Sequence, residues 1–251
     1  PSVSDTSFIR MTASVTGRVS CMSGRTSVTY GLDRMAFKRF RHLLLGAGLG
    51  LALSAVQGMA EPYRIVGFGD SLMAGYMLDA GQSFPEKLEA ALKERGHDVV
   101  IVNAGVSGDT TGGGLSRLDW SVPDETDLAI LELGANDMLR GIPPEVTENN
   151  LAAMIERLQA RGVAVVLAGM VAAPNLGPDY ASRFNPIYPR LAETYRLPFY
   201  PFFLDGVAAE TSLLLGDGMH PNAQGVERMV EGFLPVIEAA LAAVKESAAG
   251  Q

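Results

Sequence analysis

Cysteine is almost missing: Cys21 is the only one in 251 residues. A single thiol cannot build a disulfide framework, a thiolate zinc site or an iron–sulfur cluster. Histidine is scarce as well, at three residues, which leaves little for a histidine-rich metal site. Basic charge is in deficit, with 20 Lys+Arg against 28 Asp+Glu and a net of −8. A nucleic-acid binder needs a basic face to displace counterions from phosphates, so that class is excluded. Apolar material is plentiful. Hydrophobic residues make up 47% of the chain and charged ones 19%, enough for a large core and incompatible with disorder. At the usual ~150 residues per domain the length suits one or two domains.

The charge is unevenly distributed. Residues 1–60 hold 7 of the 20 basic residues and 2 of the 28 acids, which leaves 13 basic and 26 acidic residues in 61–251. Met35 opens a run with a basic start (Lys38, Arg39, Arg41), an apolar stretch Leu43–Val56 and small residues at Gly58 and Ala60. That order is the layout of a secretory signal cleaved after Ala60, and it predicts a periplasmic or secreted protein. A membrane anchor is the competing reading. The apolar stretch is 14 residues, whereas a spanning helix needs about 20, and Gly46, Gly48 and Gly50 weaken it as a helix. No stable span is expected in the mature protein. Residues 1–34 are Ser/Thr/Arg-rich without periodicity and are expected to be a disordered or non-native leader.

From Tyr63 onward short apolar runs alternate with helical periods. Strands are predicted over Arg64–Gly67, Val99–Asn103, Leu128–Leu133, Val163–Ala168 and Pro198–Phe203, each apolar on both faces as buried parallel strands are. Helices are predicted over Phe84–Arg95, Gly114–Trp120, Pro144–Arg161, Asp179–Arg196 and Asn222–Glu246, the last kinked at Pro235. Such alternation implies right-handed crossovers and a five-stranded parallel sheet covered on both sides. Ligands collect beyond the carboxyl ends of such strands. Residues 61–251 then form one domain.

Four loops map to that edge: GFGDSLMAGY, NAGVSGDTTGGG, LELGANDMLRG and, before the last helix, GDGMHPN. His220 has a local acid, Asp217, three residues earlier; His97 sits in a polar turn and is expected to be solvated. A neutral imidazole held at one nitrogen can take a proton at the other. The competing role for Asp217-x-x-His220 is a polar cap on the final helix. Ser71, between a strand end and a helix start, suits a nucleophile whose own N–H faces developing negative charge, and equally suits an ordinary N-cap. Asn136 offers an amide donor and Gly108 allows close backbone approach. Asp70, Asp109 and Asp137 read as loop-fixing residues. Residues 67–72 fail the dinucleotide fingerprint, and no phosphate-binding loop motif occurs.

In this order the Ser71, Gly108, Asn136 and Asp217–His220 blocks resemble those of the GDSL/SGNH hydrolase superfamily, over residues 63 to about 245 and nearest its bacterial arylesterase and periplasmic thioesterase/lysophospholipase branch. The resemblance implies a flavodoxin-like three-layer α/β/α sandwich and ester hydrolysis without metal or cofactor. It assigns Ser71 as nucleophile, His220 as general base and Asp217 as its orienter, with Gly108 and Asn136 completing an oxyanion hole with the Ser71 amide. Activity should rise with pH as the imidazole loses its proton. Met138, Leu139, Ile142, Val171, Leu176 and Tyr180, in the loops after the third and fourth strands, are expected to line an apolar groove for short or medium acyl chains. The partner is then a small acyl ester or thioester. The same site could serve an acyltransferase or a polysaccharide deacetylase, and a binding module could use the fold alone. A carbohydrate site favours exposed aromatics, and Trp120 is the only tryptophan.

Overall fold

Runs of Val, Ile and Leu too short for helices assemble into the middle of the molecule. The computed structural model describes residues 61–250; the predicted leader and signal lie outside the described residues. Five strands, β1 (Tyr63–Gly69), β2 (Val99–Gly105), β3 (Leu128–Glu132), β4 (Ala164–Ala168) and β5 (Phe199–Tyr200), form one all-parallel sheet in the order β2-β1-β3-β4-β5. This is the doubly wound flavodoxin-like order, whose direction reverses between β1 and β3.

Helices cover both faces. One layer packs α2 (Phe84–Glu94) against α8 (Ala223–Ala249). The other holds α3 (Thr111–Ser121), α5 (Pro144–Ala160) and α7 (Ile187–Tyr195). The two short helices α1 (Ser71–Ala74) and α4 (Ala135–Leu139) follow β1 and β3 directly. The core is continuous from Ile65, Val66 and Phe68 through Leu128–Leu131 to Val165–Leu167. Each such side chain contributes roughly 1.5–3 kcal/mol when fully buried. Phe84, Phe203 and Phe233 add edge-to-face contacts between α2, α8 and the segment after β5.

Three expectations need correction. β2 is an edge strand, not apolar on two buried faces: Val100 and Val102 are 39% and 38% exposed. Alternation survives there because only one face meets helices, the pattern of a half-covered strand. The single helix expected over Asp179–Arg196 is two, α6 (Gly177–Phe184) and α7, separated at Asn185-Pro186. Pro186 has no N–H to continue the ladder, and Asn185 turns its side-chain carbonyl to accept from the Ala172 N–H at 2.8 Å. The strand expected over Pro198–Phe203 shrinks to two residues. The final helix runs unbroken through Pro235.

Strand register aligns the loops that matter. Gly69 pairs with Gly105 on one side and Glu132 on the other, and Glu132 pairs with Ala168. The segments that follow therefore leave the sheet at one level. Gly105 is glycine for a steric reason: a Cβ there would lie 2.3 Å from the Ala74 nitrogen, so α1 could not lie across the end of β2.

Candidate active site

Ser71 is the first residue of α1, not its cap. The cap is Asp70, whose Oδ1 accepts from the Leu72 N–H at 3.0 Å. That arrangement leaves the Ser71 hydroxyl free and its N–H without an intrahelical partner. The hydroxyl stands 2.9 Å from His220 Nε2. On the far side of the ring, His220 Nδ1 is 2.6 Å from Asp217 Oδ2. Residues 149 positions apart in sequence thus meet at the carboxyl edge of the sheet.

The turn that carries His220 is built locally. Asp217 Oδ1 accepts from the N–H groups of Met219 (3.0 Å) and His220 (3.1 Å). The Leu215 N–H donates to the His220 carbonyl at 2.7 Å, and Leu214 bridges Pro221. Capping of α8 falls to Asn222, whose side chain accepts from Gly225 N–H at 3.0 Å, so Asp217 is not the helix cap. The Met219 and His220 hydrogen bonds hold the Asp217 carboxyl down at about 2. Ionised, it accepts from His220 Nδ1–H, and this leaves Nε2 as the acceptor for the Ser71 hydroxyl. Tyr76 lies against the imidazole, ring centroids 4.5 Å apart.

The three acids read as loop-fixing do hold loops. Asp70 Oδ2 accepts from Asn136 Nδ2 at 2.9 Å, fixing that amide beside Ser71. Asp137 accepts from the Thr111 N–H and hydroxyl and from Thr147. Asp109 pairs with Arg117 at 2.6 Å, and Arg117 also donates to the carbonyls of Gly69 and Ala104 while stacking over Phe68. Gly108, one residue before Asp109, takes φ +80°, a backbone conformation that a side chain would strain.

Beneath Asp70 lies an acid that the sequence did not single out. Glu132, at the end of β3, is fully buried, and its Oε2 accepts from the Asp70 N–H at 3.2 Å. Burial first, then the neighbouring Asp70 carboxyl, drives its pKa well above the carboxylate range. Asp70 is itself raised to about 6 by burial, against the pull of its bonds from Leu72 and Asn136.

A cavity of about 720 Å³ opens over Ser71 and His220. Met138, Leu139 and Val171 line it as expected. Ile142, Leu176 and Tyr180 do not: the Tyr180 hydroxyl donates to the Ile142 carbonyl at 3.0 Å, which fastens α6 to the loop after α4, and Leu176 packs on the core. Their place is taken by Met170 and by Phe202, Leu204, Ala208 and Leu214 from the segment after β5. The segment after β5 carries no polar motif that marks it in the sequence as a wall of the site. Tyr76 was findable, because it ends the GDSLMAGY block. His97 is not solvated as expected; it is half-buried between Glu238 and Lys245 of α8. Trp120 is 75% exposed and does not line the cavity. Among the described residues no three His, Cys, Asp or Glu side chains gather where a metal ion could be held.

Comparisons with known proteins converge. The sequence model of the GDSL-like lipase/acylhydrolase family matches residues 68–228. An arylesterase of Vibrio mimicus is 42% identical over 182 residues, 72% of this chain and 90% of that protein. Esterase TesA of Pseudomonas aeruginosa is 37% identical over 199 residues, 79% of this chain and 98% of that protein. The crystal structure of AlinE4, an SGNH-hydrolase family esterase, superposes with a TM-score of 0.62 at 48% identity, covering 73% of this chain and 99% of that one. The chain belongs to the GDSL-like lipase/acylhydrolase family.

Proposed function

We propose that this ester hydrolase works through an acyl-enzyme on Ser71. The observation that carries the reading is the relay of Ser71 Oγ, His220 and Asp217, at 2.9 and 2.6 Å, under an apolar cavity. Ser71 attacks the acyl carbonyl while its proton passes to His220 Nε2. The resulting imidazolium is stabilised by ionised Asp217. The oxyanion accepts from the N–H groups of Ser71 and Gly108 and from the Asn136 amide, whose second hydrogen is held by Asp70. Such preorganised donors are worth about 3–4 kcal/mol each in rate. His220 then protonates the leaving alcohol, phenol or thiol, and a water molecule repeats the sequence on the acyl-enzyme.

The substrates proposed are aryl esters and short- to medium-chain acyl esters, extending to thioesters and lysophospholipids. The cavity's Met, Leu, Val and Phe lining favours an acyl chain over a sugar. Export is proposed as well, with the signal Met35–Ala60 removed, so that residues 61–251 act in the periplasm or outside the cell. Intact-mass measurement of exported protein is then expected to find Glu61 at the N-terminus.

The decisive variant is Ser71→Ala. Turnover of p-nitrophenyl butyrate is expected to fall ~10⁴–10⁶-fold, the scale of triad knockouts, with the melting temperature retained. A fluorophosphonate should label the wild type and spare the variant. Near-wild-type hydrolysis by Ser71→Ala would overturn the assignment.

A further inference from the structure

We infer that Arg140 is a positioning residue that ties the loop carrying Gly108 to the short helix carrying Asn136, the two oxyanion donors outside α1. The inference rests on the serine-esterase reading above.

Arg140 closes α4, the helix that carries Asn136, and its backbone N–H donates to the Asn136 carbonyl at 3.1 Å. Its side chain crosses 32 positions of sequence to donate to the Gly108 carbonyl at 2.5 Å. One residue thus holds both donor segments, α4 through its main chain and the Gly108 loop through its guanidinium.

The Gly108 end of this strap needs a restraint. Glycine visits φ +80° freely, but it visits other conformations just as freely. A Cβ built on Gly108 would have only the Arg140 guanidinium within 4 Å, so packing does not hold this peptide in place. Asp109, the next residue, is fixed by its N–H to Val106 at 3.0 Å and by the Arg117 pair. Between that anchor and the site, the Gly108 carbonyl has the Arg140 contact. The guanidinium pairs with no carboxylate among the described residues. An exposed arginine that gives its hydrogen bond to a main-chain carbonyl beside a nucleophile sets geometry rather than global stability. Arg140 does not line the cavity, so substrate contact is not its role.

The experiment compares wild type, Arg140→Ala and Arg140→Lys in the full chain on p-nitrophenyl butyrate. In Arg140→Ala, kcat is expected to drop about 10- to 100-fold, the cost of loosening rather than deleting an oxyanion donor. KM stays within about twofold. Labelling by a fluorophosphonate, whose phosphoryl oxygen takes the oxyanion position as Ser71 displaces fluoride, slows in step with kcat, and Arg140→Lys recovers part of both losses. If Arg140→Ala melts early, Arg140→Met, which keeps the apolar stem, carries the same expectation. Wild-type kcat in the Ala variant overturns the inference, and so does a loss confined to KM. A wild-type protein that neither hydrolyses the ester nor takes the label fails differently, because it removes the esterase reading itself.

Discussion

At the scale of single residues, two acids, one in the relay and one beside it, are tuned in opposite directions. Asp217 is depressed to about 2 by hydrogen bonds to its ionised form. Its contribution to stability is present above the unfolded carboxylate range near pH 4 and is lost only as pH falls through about 2. It therefore stays charged at any pH well above 2. Asp217→Asn removes that charge and the tautomer control together, and kcat is expected to fall ~10⁴-fold in steady-state assays. Asp70 is the reverse case, raised to about 6 by burial. The native state keeps a proton that the unfolded chain releases, so stability falls as pH rises from about 4 to 6. Above that range the ionised carboxyl costs on the order of 2–3 kcal/mol. Urea titrations should show Asp70→Asn gaining on wild type between pH 4 and pH 7; parallel curves would refute this. The same variant should lose activity about 10- to 100-fold, because an amide cannot accept from both Leu72 and Asn136. These residues differ in legibility. Ser71, Asn136 and the Asp217–His220 turn were visible because each sits in a short stretch of unusual polarity after an apolar run. Glu132 was not: it falls inside the predicted strand Leu128–Leu133, and its partner is the main-chain N–H of Asp70, which leaves no mark in the sequence. Arg140, and Arg117 in its bonds to Gly69 and Ala104, were hidden for a different reason: those partners are main-chain carbonyls, and no sequence pattern marks them.

At the scale of elements, strand identity was readable and strand environment was not. The alternation of apolar runs with helical periods fixes a parallel sheet, yet nothing in Val99–Val102 says that β2 is an edge. Edge position follows from the crossover that places β3 on the other side of β1, a long-range fact. The break between α6 and α7 was marked by Asn185-Pro186, but the periodicity through Asp179–Arg196 masked it. Asn185 has a task at this break: its side chain satisfies the Ala172 N–H in the cavity wall. Asn185→Ala leaves that donor unpaired at a partly buried position, and chemical denaturation should register a loss of about 1–2 kcal/mol. The wall from Met170 to Pro174 would loosen with it, so KM for longer acyl esters should rise more than KM for acetate. Equal shifts for both chain lengths would mean that Asn185 does not shape this wall.

At the scale of the whole molecule, every residue proposed for chemistry lies between Asp70 and His220, inside the compact unit Ala60–Gln251. The sheet, both helical layers and the cavity are formed by described residues. No helix among them is long and apolar enough to cross a membrane. The cooperative core runs from Ile65 to Leu241, and the relay is held by bonds internal to that span. A protein beginning at Glu61 is accordingly expected to match the full chain in kcat/KM within about twofold and in melting temperature within a few degrees. Removing seven cations and two acids also leaves a net of −13, so the shorter protein should remain soluble at neutral pH and avoid anionic surfaces. A truncated protein that aggregates, or that folds but loses turnover, would show that the N-terminal sixty residues take part in the native state.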